Sequence, residues 1–435
     1  MTRMKDSGIE WIGEVPEEWG ITKFKYFLDT NKGLTITKEN LIEDGIPVIN
    51  YGQIHSKYGK SVSTDRDVLP QVSANYLKFK QSLLKPGDFV FADTSEDIDG
   101  SGNFSTRIDD NGELFAGYHT IKAKLKNALE HDFRYFMHYF DSLAFRKQVQ
   151  NKVSGIKVYS ITQSILQETC LILPSLYEQN QIADFLDKKV AQLDKVKSLL
   201  EEQIKTLEDY RQSLIYETVT KGLDKTVPLK DSGVDWIGQI PEGWGVGKLS
   251  QFFGEVKKKN VRNFEKNLLS LSYGRVIRKS IDNLMGLLPE SFDTYNIIDE
   301  NDIVFRLTDL QNDKKSLRTG LSKERGIITS AYVTIRTINN FINANYYNHL
   351  FYAYDLCKVY YNFGGGVRQG GTWGDLSVLR ILIPSVTEQN QIADFLDKKI
   401  EQINQMIAIK KEQLENINKQ RQTLIYDYVT GKRRV

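Results

Sequence analysis

Two stretches of the chain place their apolar residues at helical spacing. Leu186, Leu193, Leu200, Leu207 and Leu214 fall seven apart, with Val190, Val196 and Ile204 between them. Leu396, Ile400, Ile403, Ile407, Leu414, Ile417 and Leu424 follow a 3–4 alternation that Lys410 interrupts. Neither Glu178–Thr220 nor Glu388–Thr430 contains Gly or Pro, and each predicts a helix of 43 residues, about 65 Å long. Ser175-Leu-Tyr-Glu178 and Ser385-Val-Thr-Glu388 both fit S-x-x-E, in which the Ser and Glu side chains satisfy each other's backbone N–H. Gly222 and Gly431 follow the two ends, where a left-handed residue closes a helix. A heptad seam must be buried against another helix, so the two are expected to pair with each other, antiparallel.

Between the helices the pattern changes to short apolar runs bounded by Gly, Pro, Asn and Asp, which predict strands. Val48–Gly52 aligns with Ser270–Gly274, Gly87–Thr94 with Asn301–Thr308, and Tyr118–Lys122 with Tyr332–Arg336. Lys126–Val149 and Asn343–Tyr361 are rich in aromatic residues and predict short helices.

These alignments belong to a duplication. Lys5–Gly20 returns at Lys230–Gly245 with 11 of 16 residues identical, Glu178–Lys189 returns unchanged at Glu388–Lys399, and Arg211–Thr220 returns at Arg421–Thr430 with 7 of 10 identical. The offset falls from 225 to 210, so the second copy is 15 residues shorter between its fixed ends. The fold class that follows is α+β. Two mixed α/β heads stand in tandem, separated and joined by two long helices forming an antiparallel coiled coil, in a pseudo-two-fold, nearly circular arrangement. The expected division is 1–175, first head; 176–222, first helical spacer; 223–385, second head with a short linker at 223–229; and 386–435, second spacer.

Composition narrows the class. No apolar run approaches the roughly 18 residues of a membrane span, and the first residues lack the apolar stretch of a signal peptide, so a cytoplasmic protein without a membrane partner is expected. Two cysteines, Cys170 and Cys357, exclude a disulfide scaffold. The 58 Lys and Arg against 56 Asp and Glu leave a net charge of +2. Bulk charge therefore does not mark a nucleic-acid binder; such a site must be local, or partners must supply positive field.

Catalytic motifs are missing. The nine prolines include no adjacent pair, so the Asn/Asp-Pro-Pro-aromatic loop of amino-methyltransferases is absent. There is no phosphate-binding G-x-x-x-x-G-K-S/T and no H-E-x-x-H. The one E-x-K, Glu255-Val-Lys257, stands in a basic run and reads as chance. No catalytic or metal-ligating residue is assigned.

The heads do carry local basic and planar groups able to meet phosphates and base edges. Candidates for DNA contact in the first head are Lys32, Tyr51, Gln53, His55, Lys57, Lys157 and Tyr159. In the second they are Lys257, Tyr273, Arg275, Arg278, Lys279, Arg368 and Gln369. Core packing is the competing role for Tyr51 and Tyr273. Candidates for the helix seam and partner helices are Leu186, Leu193, Leu200, Leu207, Leu214, Leu396, Ile403, Ile407, Leu414, Ile417 and Leu424. Two different heads on matched helices suit two different half-sites at a set distance.

The chain resembles the specificity subunit of type I restriction–modification enzymes. The resemblance rests on W-I-G-x-x-P-x-x-W at Trp11–Trp19 and Trp236–Trp244, on Pro174–Asp187 and Pro384–Asp397, and on the Leu-Ile-Tyr helix endings at 214–216 and 424–426. It implies two target-recognition domains that read a split double-stranded DNA sequence and two helical spacers that dock two methylation subunits. It also implies restriction subunits joined through the complex. S-adenosylmethionine, ATP and Mg would then sit only on those partners, with no cofactor on this chain, which would itself be non-catalytic. The alternative is a stand-alone pseudo-dimeric DNA-binding regulator without methylase partners.

Overall fold

The computed structural model describes residues 3–155, 157–279, 291–310, 312–313, 317–339, 341–364 and 370–435. It divides into two compact units, residues 1–201 with 412–435 and residues 202–411. The long helices are Leu176–Lys221 and Val386–Val429, so each unit holds one head and part of both helices. No described helix is long and apolar enough to cross a membrane.

In the first unit, the strand Gly20–Lys23 pairs antiparallel with Cys170–Leu173, which places the start of the head beside its end. The main sheet runs in the order Leu28–Lys32, Thr120–Leu125, Phe89–Ala92, Phe104–Arg107 and Ser61–Val62, with only the last pair parallel. Phe89–Ala92 is buried on both faces, which is why it reads as an unbroken apolar run. A second sheet joins Phe115–Ala116, Ile46–Ile49, Gln71–Val72 and Leu41–Ile42. The aromatic-rich segment forms helices Phe133–Asp141 and Leu143–Gln150.

The second unit repeats the frame. Gly245–Lys248 pairs with Arg380–Ile383. Its sheet runs Phe253–Glu255, Val333–Thr337, Ile303–Phe305 and Thr319–Leu321, the order of the first four strands in the other head. The helix Ala344–Leu356 covers it. Both sheets contain the same ion pair at aligned positions: Lys122 with Asp88 at 2.8 Å, and Arg336 with Asp302 at 2.6 Å. The heads part at the next strand: Leu268 keeps a parallel bridge to Ile327, but Leu269–Ser272 then turns straight back into a hairpin with Arg275–Arg278.

Within each unit the helices run antiparallel. In the first, Phe185 lies 4.5 Å from Tyr428 and Arg421 donates to Asp194 at 2.8 Å. In the second, Lys410 donates to Gln203 at 2.6 Å and Arg211 to Asn404 at 2.5 Å. The seam residues fall into two groups. Leu186, Leu396, Ile403 and Ile407 are buried. Leu193, Leu200, Leu207, Leu214, Leu414, Ile417 and Leu424 are half-buried, as a seam between two helices alone leaves them. Lys410, where the heptad breaks, meets a polar partner, a device that favours one register over its slips.

The repeated motifs form the joints between heads and helices. Ser175 and Glu178 cap the first helix reciprocally, with the Ser N–H at 3.1 Å from the carboxylate and the Glu N–H at 3.4 Å from the Ser oxygen. Ser385 and Glu388 do the same at 3.1 and 3.3 Å. The second Trp of each W-I-G-x-x-P-x-x-W motif donates its indole N–H to that glutamate: Trp19 to Glu178 at 3.2 Å, Trp244 to Glu388 at 2.9 Å. Each ring also packs against the glycine ending the other helix, Gly431 or Gly222. Tyr135 donates to the Val429 carbonyl at 3.1 Å and Tyr346 to that of Val219 at 3.0 Å. His138 donates to Asp187 and His349 to Asp397 at 2.8 and 2.9 Å. The unchanged Glu178–Lys189 repeat thus carries the residues that seat a head on a helix.

Both glycines have the left-handed backbone predicted for them, φ +71° at Gly431 and +73° at Gly222. A side chain at either should cost about 1 kcal/mol through that backbone. At Gly431 a Cβ would also lie 2.4 Å from the Pro16 ring, against 3.3 Å from Trp244 at Gly222. Gly431→Ala should therefore lower the urea midpoint more than Gly222→Ala.

Burial acts to raise the Glu178 and Glu388 carboxyls, but the hydrogen bonds from Trp19 and Ser175, and from Ser385 and Trp244, outweigh it. Both pKa values lie below the ordinary 4.5. Their contribution is full above pH 4.5 and is lost as pH falls through the depressed values. Replacing both by Gln should flatten the acid side of a plot of Tm against pH.

Candidate nucleic-acid interface

In the first head the candidates other than Lys32 gather around a short helix. Asn50 is buried, and its N–H donates to the Gln53 side chain at 3.0 Å. This turns the chain into the helix Tyr51–Ser56. Tyr51 is half-buried, with ring contacts to Tyr118 and His119 at 5.8 and 5.4 Å. Gln53 uses its oxygen in the cap, whereas Lys57 is exposed at the helix end.

The helix forms one wall of a cleft of about 620 Å³, with Glu96, Asp97 and Asp99 on the facing loop and Val158 at its edge. Tyr159–Ser160 pairs with Thr94–Ser95, which brings Lys157 and Tyr159 beside the same loop. Lys157 is exposed and Tyr159 half-buried. Lys32 is exposed at the end of its strand, opposite Ile121. Carboxylates in this cleft accept hydrogen bonds, as the exocyclic amine of a base edge requires. The sequence shows the acidic stretch Asp93–Asp99 only as a loop of carboxylates without a partner base; only the fold brings it and Asn103 against residues 51–56.

In the second head the aligned Tyr273 stands at a hairpin tip, 87% exposed, with φ +48° followed by +75° at Gly274. Arg275 is exposed and meets no ion-pair partner among the described residues. Arg278 is engaged by Glu324 at 2.7 and 2.8 Å, and Lys257 by Glu255 at 2.8 Å. Lys279 is exposed. Arg368 and Gln369 lie outside the described residues. Among the described residues no His, Cys, Asp or Glu side chains are grouped to hold a metal ion.

The sequence profile of the family described as Type I restriction modification DNA specificity domain matches residues 16–208 and 241–417. Among similar proteins, the putative type I restriction enzyme MjaX specificity subunit of Methanocaldococcus jannaschii is 24% identical over 434 residues, covering 98% of this chain and 96% of that one. The MjaVIII specificity subunit of the same organism is 22% identical, covering 97% and 94%. A chain solved in work on complex assembly and conformational transition of the type I R-M system superposes with a TM-score of 0.65 at 15% identity, over 96% of this chain and 99% of that one.

A chain of hydrogen bonds dictates the state of His55. Arg146 can only donate, so its 2.8 Å contact makes the Asn103 oxygen the acceptor and turns the Asn103 amide N–H towards His55 Nδ1 at 2.9 Å. Nδ1 must accept, and Nε2 carries the proton that meets the Thr94 carbonyl at 2.8 Å. Both ring nitrogens of this candidate are thus already used. Nitrogen NMR of the full chain should show His55 as the Nε2–H tautomer, and Asn103→Leu should keep Nε2 protonated against the Thr94 carbonyl while removing the hydrogen-bond shift at Nδ1.

Proposed function

The chain belongs to the family of type I restriction–modification DNA specificity proteins, and from that premise we propose that it reads a split target for a type I restriction–modification complex. The observation that supports this best is the pairing of a shared frame with unlike reading parts. Both heads keep the same four-strand order and the same Trp–Glu joint. They differ where Tyr51 and Tyr273 stand, one on a helix and one on a hairpin.

In this reading each head binds one half-site of double-stranded DNA, and the two long helices set the gap. Two methylation subunits dock on the helical region, and restriction subunits join through the complex. This chain positions the target; S-adenosylmethionine, ATP and Mg act on the partner subunits, and the chain does no chemistry of its own. The base to be methylated leaves the duplex for a partner's pocket. The net charge of +2 fits a protein whose partners share the phosphate contacts. The work is done where the DNA is, in the cytoplasm.

Mapping methylated adenines across the genome of the source cell, with the chain present and deleted, tests the proposal. The expected result is loss of one bipartite motif with a fixed gap. An unchanged methylation map in a cell whose methylation subunits are active would contradict it.

A further inference from the structure

We propose that the second head reads its half-site with a two-stranded ribbon laid in the major groove, and that Ser270, Ser272, Arg275 and Ile277 form its reading face. The proposal rests on the specificity reading above and assigns the residues that carry it in this head. The register gives the faces. Leu269 lies opposite Arg278 and Leu271 opposite Val276; Ser270 lies opposite Ile277 and Ser272 opposite Arg275. Residues directly opposite in an antiparallel pair share a face.

The first set holds the ribbon down. Leu269 packs with Ile298, Val304 and Ile328, with Val276 against them, and Arg278 is held by Glu324. Gly274 sits against Leu317 and Gly320 against Leu271, each too close to admit a Cβ freely. The second set looks outward and has no such anchors among the described residues. It offers a fork of donors in Arg275, two small hydroxyls, and an apolar side chain, Ile277, that is 44% exposed.

That mixture suits base edges. Arginine pairs with guanine, serine meets either kind of edge, and an apolar group packs on a thymine methyl. Two strands about 4.8 Å apart form a ribbon that a major groove roughly 12 Å wide admits. Charge selects the occupant: residues 269–279 contain three cations and no carboxylate.

Tyr273 adds an independent sign. Its φ of +48° with +75° at Gly274 forms the tight turn that hairpins normally build from Asn-Gly. A bulky aromatic there is strained, and at 87% exposed it is not held by packing among the described residues. Strain kept at an exposed tip points to a role outside the fold. We assign Tyr273 to contact with the DNA backbone or a base at the groove edge, where it adds affinity without choosing sequence.

The test selects from a pool of duplexes of randomised sequence, using the full chain with its methylation subunits, as wild type, Arg275→Ala and Tyr273→Asn. Arg275→Ala should flatten the preference at one base pair of one half-site by roughly 5- to 150-fold and leave the other half-site as it was. Tyr273→Asn should raise Tm, since Asn accepts the left-handed backbone, yet weaken binding with the selected bases unchanged. If both variants bind with wild-type strength and wild-type preference, or if Arg275→Ala alters both half-sites, the ribbon assignment is overturned. A wild-type chain that selects no sequence overturns the specificity reading, and the ribbon with it.

Discussion

The indole N–H of Trp19 reaches the Glu178 carboxylate while its ring lies under Gly431, and Trp244 stands in the same way between Glu388 and Gly222. Each tryptophan is nearly fully buried and touches the beginning of one long helix and the end of the other. The glutamate is also half of a capping box, so one carboxylate closes the first turn of the helix and fixes the head to it. Removing a cap of this kind costs about 1 kcal/mol; here the loss would also strand a buried indole donor. Helix pairing, head docking and the antiparallel sense within each unit all meet at these two residues.

With the joint held constant, the rest of each head is released from that duty. The four-strand sheet remains, because the joint helices Phe133–Asp141 and Ala344–Leu356 pack on it, and each sheet keeps its Asp88–Lys122 or Asp302–Arg336 pair. Beyond the sheet the copies diverge. Asn50 with Gln53 three residues on can form a capping box, and the chain enters a helix. Ser272 is followed at that position by Arg275, which cannot accept the return hydrogen bond. Val276 and Ile277 next to it favour a strand, and the chain turns into a hairpin.

Much of the frame was legible because its signals are local. The capping serines, the glycines after the helices and the heptad leucines all lie within one or two turns of what they determine. The Trp19–Glu178 and Trp244–Glu388 contacts were not legible, since 159 and 144 residues separate the partners; the sequence shows only that both motifs recur. The candidate interface was legible as a region more than as residues. Tyr51 and Tyr273 align, but nothing in the alignment separates a half-buried ring on a helix from an exposed one on a turn. His55 and Arg278 look as available as any other letters in a sequence, yet each is engaged by a neighbour that only the fold supplies, whereas Lys257 meets Glu255 two residues before it. The Asn50–Gln53 spacing, against Arg275 followed by β-branched Val276 and Ile277 in the other copy, was a signal that could have distinguished the two heads.

The central claim is that the paired helices set the distance between the half-sites and the heads set the bases. One heptad inserted into each helix at facing positions, beside Gln203 and Lys410, tests it most directly. Seven residues add about 10 Å of helix and keep the seam in phase. The account predicts that the methylated motif of cells carrying this variant has a gap longer by about three base pairs, at roughly 3.4 Å each, with both half-site sequences unchanged. A motif with its original gap, or with altered bases in either half-site, would contradict it.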